Sequence, residues 1–286
     1  MAKVTTATPQ FSGMKYRVVN TLGSGAGSTI LLISDKTAGG KRYAMKVVRK
    51  QDPEDEIYVQ QALTEFEAAK KLNHPAISKI YDCRLKKSWF KVKGVELLME
   101  YVEGKTLDEI EAPQMGQLLL MFCHVASAMA HMHRRGVYHG DLKPGNIMLT
   151  STGQVKLIDF GTAWVRGQDK NRVQGTPQYI APEQASDKTV DEKTDMYNLG
   201  ATMYRMFTGR FAQQGIPKPG SDRKLPLPSK LNPSIPAPLS ELIVACLSLD
   251  PSKRPAGMFE IRDQLAGIAK RIGLAEVDLR GADDEE

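Results

Sequence analysis

The sequence predicts an α+β chain in which a small strand-rich unit precedes a larger, mostly helical one. Three observations carry this. Residues 16–48 hold short β-like runs separated by glycines, residues 57–72 switch to helical spacing, and from residue 115 onward the apolar pattern is mainly helical.

The early strands are Tyr16-Arg17-Val18-Val19, Thr29-Ile30-Leu31-Leu32-Ile33 and Tyr43-Ala44-Met45-Lys46-Val47-Val48, the last two joined across a Gly39-Gly40 turn. Ile57, Leu63, Phe66, Ala69 and Leu72 then recur at helical spacing, and Asn73-His74-Pro75 stops the helix. Two more strands follow near 77–85 and 93–101, giving five antiparallel strands and one main helix before Gly104 breaks the pattern. Leu118, Leu119, Phe122, Val125, Met129 and Met132 form one apolar face over 115–134. Short strands are expected at 145–150 and 155–160, and helices at 182–186, 193–208, 238–249 and 256–272. Seven prolines from Pro217 to Pro238 argue against regular helix there. The ranges are read as an extension over 1–13, a first unit over 14–102, a second over 103–272 and an acidic tail over 273–286.

A chain of 286 residues with 41% hydrophobic and 25% charged residues has the balance of a folded globular protein. The net charge of +6 and pI near 9.1 leave nucleic acid or an acidic surface open as partners. Lys and Arg are nevertheless scattered, in short groups such as Lys86-Lys87 and Lys91-Val92-Lys93, which read as a solvated face, so no nucleic-acid partner is expected. Cys83, Cys123 and Cys246 lie far apart without metal-ligand spacing, which suits a reducing cytoplasm. Met1 to Gly13 lacks an apolar signal core and no run is long enough to span a membrane, so neither secretion nor a span is expected.

Chemistry-bearing residues gather in four places. Leu22-Gly23-Ser24-Gly25-Ala26-Gly27-Ser28-Thr29-Ile30 is a glycine-rich turn between strands, where backbone N–H groups can approach phosphate oxygens, though a plain hairpin turn would look the same. Lys46 stands in an apolar strand, where a half-buried ammonium needs an acidic or anionic partner, and Glu65 on the next helix is a candidate. Tyr138-His139-Gly140-Asp141-Leu142-Lys143-Pro144-Gly145-Asn146 is followed, 18 residues after Asp141, by Asp159-Phe160-Gly161. Two short loops thereby offer a carboxylate for a hydroxyl, a cation for a phosphate and two oxygen ligands for Mg²⁺.

With glycine loop, strand lysine, catalytic loop, D-F-G and Ala181-Pro182-Glu183 in chain order over roughly 14 to 270, the sequence resembles the eukaryotic-type protein kinases, closely the bacterial serine/threonine members. The resemblance implies the two-lobed kinase fold and transfer of the γ-phosphate of Mg·ATP to serine or threonine of a protein substrate, with Mn²⁺ an acceptable substitute ion. It implies that Lys46 holds the α and β phosphates and pairs with Glu65, nine residues before His74, with Glu67 as rival. Glycine-loop residues Leu22, Gly23, Ser24, Gly25, Ala26, Gly27, Ser28 and Ile30 would cover ATP. Met99 falls at the gatekeeper position, and the backbone of Glu100 and Val102 would bind adenine. Leu22, Ile30, Ala44 and Met148 would enclose the base, each being also an ordinary core residue type. Asp141 would accept the hydroxyl proton, Lys143 would steady the γ-phosphate, and Asn146 and Asp159 would hold the metal ion. Thr176 and Glu183 belong to the substrate platform, with Arg254 as Glu183's partner and Asp195 on the central helix anchoring the catalytic loop.

Two departures stand out. Ser28 replaces the third family glycine and Gly27 an aromatic, implying a more mobile loop. Gly140 replaces the arginine that clamps an activation-loop phosphate, and Ala163 to Gly175 contains no hydroxyl residue, so activity is expected to be independent of loop phosphorylation; Lys170 and Arg172 supply positive charge in that loop. Two other readings are a small-molecule phosphotransferase, since glycine before Asp141 also resembles aminoglycoside and choline kinases, and a pseudokinase scaffold, disfavoured because Lys46, Glu65, Asp141, Asn146 and Asp159 are all present.

Overall fold

Alternation along the third strand decides which side chains of the first unit meet. Tyr43 and Met45 are buried with Phe11, Ile33 and Leu98 on one face of the sheet, with Val47 against them. Ala44 and Val48 are buried on the other, with Val95, Leu97, Met99 and the helical residues Val59 and Ala62. Because side chains alternate with period two, Lys46 belongs to the second set and points toward the helix.

The computed structural model describes residues 9–25, 27–89, 91–111, 113–160, 163–166, 174–186, 190–215 and 225–274. Two compact units make up the chain, Met1–Asn73 with Ser78–Glu103 and His74–Ile77 with Gly104–Glu286. In the first, β1 (Tyr16–Gly25), β2 (Ser28–Asp35), β3 (Arg42–Arg49), β4 (Ile80–Ser88) and β5 (Lys91–Glu100) form one antiparallel sheet in the order β1-β2-β3-β5-β4. Helix α1 (Glu56–Ala69) buries Val59, Ala62, Glu65 and Ala68, a stripe at three-residue spacing. Phe11, ahead of the first strand, is 6% exposed, donates its N–H to Asp82 Oδ2 at 2.7 Å and lies under the Arg84 guanidinium.

The second unit contains β6 (Gly104–Thr106), α2 (Met115–Arg134), β7 (Val137–Tyr138), β8 (Ile147–Thr150), β9 (Val155–Leu157), β10 (Trp164–Val165), α3 (Pro182–Ser186), α4 (Glu192–Thr208), α5 (Pro228–Leu231), α6 (Ala237–Cys246) and α7 (Met258–Arg271). Helix α2 has the length and apolarity of a membrane span, yet fourteen of its residues, Leu118 to His133, are buried inside the unit. Its apolar character is that of a central core helix. Asp191 caps α4 by accepting from Thr194 N at 3.0 Å, and Gly209, at φ +70°, ends it. The predicted strand-rich unit with one main helix, followed by a helical unit, is therefore what forms. Beyond the expected elements, the short strands β6, β7 and β10 also form, and α5 lies in the proline-rich stretch read as non-helical, because Pro228 occupies its first turn, where a missing N–H removes no intrahelical bond.

Close packing of α4 on α6 depends on Gly200, since a Cβ there would lie 2.7 Å from Cys246 Cβ and 3.1 Å from Leu247 Cγ. Gly200→Ala should therefore destabilise the protein by about 1–2 kcal/mol, the overpacking cost exceeding the helix-propensity gain. Urea unfolding checks this; an unchanged or raised midpoint would mean that α6 gives way freely.

Candidate active site

In the first unit the Lys46 ammonium lies 2.7 Å from Glu65 Oε2, and Glu65 is fully buried. The pairing follows from the strand alternation and helix stripe already described. Glu67, the rival, faces outward and pairs with Lys70 at 2.6 Å. Ala44 and Met99 are buried on the same sheet face, with Ile30 packed against them, whereas Leu22 is 45% exposed. Glu100 donates its N–H to Lys79 O at 2.8 Å, and Val102, just beyond β5, is half-buried.

Gly23, Ser24 and Gly25 end β1, Ser28 begins β2, and Ala26 lies outside the described residues. Gly27 adopts φ +74°, and a Cβ on it would fall 2.2 Å from Tyr58 Cγ. A glycine here does more than loosen the loop, because it lets backbone settle against an aromatic ring from α1. Tyr58 was not identified from the sequence.

In the second unit the catalytic-loop residues converge. Asp141 Oδ1 accepts from Thr176 N at 2.7 Å, and Lys143 Nζ donates to Asp141 Oδ2 and to Thr176 Oγ1, each at 2.9 Å. Asn146 Nδ2 donates to Asp141 O at 2.8 Å, an arrangement that turns the amide nitrogen inward and leaves Oδ1 as its acceptor atom. Asp159 is exposed at φ +62°, a conformation a non-glycine residue adopts at a cost. Next to it Phe160 is fully buried, 5.8 Å from the His139 ring. Met148 is half-buried in β8, while Gly161, Lys170 and Arg172 lie outside the described residues.

Asp195, fully buried on α4, sets the backbone of this loop. Its carboxylate accepts from His139 N, Gly140 N and His133 Nε2, all at 2.8 Å. Burial alone would raise its pKa, yet the His133 hydrogen bond and charge, the His139 charge and the Gly140 amide hold it below the ordinary carboxylate value. Thr202, two turns along α4, donates to Leu142 O at 3.1 Å. Glu183 meets Arg254 through two hydrogen bonds of 2.6 and 2.9 Å and also accepts from Thr194 Oγ1 at 3.2 Å.

Two glutamines that sequence reasoning missed hold the platform. Gln184 is fully buried and donates from Nε2 to Gly140 O at 2.5 Å and to Gln174 O at 2.8 Å, while Oε1 accepts from Ala181 N at 3.3 Å. Gln213 donates from Nε2 to Pro177 O and Ile180 O, both at 3.0 Å. Neutral amides carry no motif of their own, and only their burial marks them.

Replacing Asp195 by Asn puts a donor where only acceptors fit, so stability at neutral pH should fall by about 3 kcal/mol. The folded-state pKa lies below the unfolded one, so this contribution is present above the unfolded value, near 4, and disappears as pH falls through the folded value. Urea unfolding of both proteins across this range should show the gap closing with acidity. A gap independent of pH would assign the effect to packing instead.

Comparison with known proteins agrees with this geometry. A protein kinase domain model matches residues 16–264. The chain is 30% identical over 273 residues to a probable serine/threonine-protein kinase of Clostridium acetobutylicum, and 32% over 277 residues to one of Streptomyces coelicolor, covering 89% of this chain in each case. It is 29% identical over 254 residues to the serine/threonine-protein kinase PrkC of Bacillus subtilis, covering 84% of this chain. It spans about 40% of the length of these relatives: 40%, 40% and 38% respectively. With one family model spanning both units and the loop residues converging as described, the chain belongs to the protein kinase domain family.

Proposed function

We propose that this chain transfers the γ-phosphate of Mg·ATP to serine or threonine hydroxyls of proteins. The observation that carries the reading is the Asp141–Lys143–Thr176 triangle, in which one carboxylate is oriented on both oxygens and a lysine stands beside it. Asp141 accepts the proton of the substrate hydroxyl and Lys143 steadies the transferring phosphoryl group, so rate comes from positioning and charge neutralisation. Lys46, held by Glu65, binds the α and β phosphates. The glycine turn from Leu22 to Ile30 covers the nucleotide, the base resting on Ala44, Met99 and the backbone of Glu100 and Val102.

Asn146 and Asp159 would hold the divalent ion. Their oxygen donors suit Mg²⁺, which takes few protein ligands and keeps phosphate oxygens and water, and Mn²⁺ fits the same donors. The ion supplies charge neutralisation between the phosphates. Serine/threonine preference is supported by Lys143-Pro144, by Thr176 within hydrogen-bonding distance of Lys143, and by the names of the relatives.

Mapping autophosphorylation and transfer to generic protein substrates tests this reading. Asp141→Ala should lower the rate at least roughly a hundredfold, with modified residues confined to serine and threonine. Preferential transfer to small alcohols would move the chain to the small-molecule phosphotransferases, and no Mg·ATP binding by thermal shift to the scaffold reading.

Independence from activation-loop phosphorylation is the finer part of the proposal. Gly140 has no side chain to receive a phosphate, and at φ +72° its backbone sits where arginine is disfavoured. Its carbonyl is instead tied through the buried Gln184 amide to Gln174, at the far end of the activation segment. Phosphatase treatment should leave kcat within about twofold, while Gln184→Leu should lower kcat roughly tenfold to a hundredfold with KM for ATP little changed, since about two buried hydrogen bonds are lost. A large phosphatase effect traced to this segment would overturn it.

A further inference from the structure

The hairpin between β4 and β5 has no part in the chemistry proposed above. The lysine groups Lys86-Lys87 and Lys91-Val92-Lys93, which looked unrelated along the sequence, face each other as its two arms: Lys86 stands opposite Gly94, Lys87 opposite Val92 and Ser88 opposite Lys91. Trp89 and Phe90 stand between the two groups in the sequence, and of these Trp89 is among the described residues. Trp89 is 92% exposed, while Val18, at 54%, is the next most exposed large apolar residue among those described.

Two costs meet at Trp89. Positive φ favours glycine, asparagine or aspartate, and Trp89 has φ +57°, a region that a bulky side chain adopts at a penalty. Its indole ring is also left in water. Neither cost benefits the first unit's core, which is complete without it. No acidic residue lies between Cys83 and Val95. Glu96, the next acid along, is bound by Arg84 and Lys86. Lys87, Lys91 and Lys93 form no ion pair among the described residues, and exposed Arg49 lies beside Gly94 in the sheet.

We infer that this hairpin tip is a peripheral docking element for an anionic bilayer surface, Trp89 entering the headgroup region while the lysines on both arms face lipid phosphates. Shape favours a bilayer over a protein partner. A convex tip of a few residues falls far short of the roughly 800 Å² per side that a stable protein interface buries. A membrane needs only an amphipathic ring at headgroup depth and diffuse positive charge around it. The contact is reversible and adds no membrane-crossing segment.

The test uses the 286-residue chain with phosphatidylcholine vesicles, either pure or containing about one third phosphatidylglycerol. The protein should sediment with the anionic vesicles alone and be released when salt is raised to about 1 M, where charges are screened within about 3 Å. Trp89→Gly, which relieves the backbone strain and keeps the fold, should weaken partitioning roughly tenfold. Trp164→Phe leaves Trp89 as the sole indole, and its emission should shift to the blue on anionic vesicles. Equal sedimentation of wild type and Trp89→Gly, or an emission change that appears with polyglutamate or single-stranded DNA and not with vesicles, overturns the inference.

Discussion

A single buried carboxylate organises the second unit. Asp195 lies fully buried in α4, out of reach of bulk solvent, so its position is determined by the three donors that reach it. Two of these are consecutive backbone amides, which fixes the peptide planes immediately before Asp141. Because the donors come from α2 and from the loop after β7, the charge of Asp195 ties two helices and a loop together at one point. Thr202 repeats the tie one step further along, at Leu142 O. The catalytic-loop backbone is thus shaped from beneath by α4, and the side chains of Asp141, Lys143 and Asn146 are free to face one another.

The first unit reaches a comparable result by different means. There the lysine and glutamate are brought together by periodicity: every second residue of β3 and every third or fourth of α1 share a face. A buried ion pair of this kind adds little net stability, because desolvating two charges offsets most of their attraction. It fixes instead where the ammonium stands. The Gly27–Tyr58 approach adds a second link between the same helix and the glycine turn, so the Lys46 ammonium and the glycine turn both refer to α1.

Charged and glycine-rich elements were legible in the sequence because their chemistry is costly anywhere else. Lys46 in an apolar strand, Asp141 and Asn146 in one short loop, and Asp195 in an apolar helix each announce a partner, and helical and strand periods gave the two-unit architecture. What was not legible has a common cause. Gln184 and Gln213 act through neutral amides whose hydrogen bonds depend on carbonyls distant in sequence. Tyr58 looks like any half-buried helical aromatic, and α5 escaped notice because prolines that forbid a helix interior are welcome at its start. Phe11, read as part of an extension, is buried because only the folded sheet supplies the Arg84 and Asp82 it packs against.

The uncharged tie at Gln184 has a consequence for the conditions under which the segment keeps its place. A phosphate held by arginine weakens as ionic strength rises, and loosens again when the phosphate gains a proton near pH 6. An uncharged amide hydrogen-bonded to two carbonyls responds to neither. The hydrogen bonds that join Gly140 to Gln174 through Gln184 therefore keep the same chemistry in concentrated electrolyte or mild acid as in dilute neutral buffer, and they hold no phosphoryl group that could be added or removed.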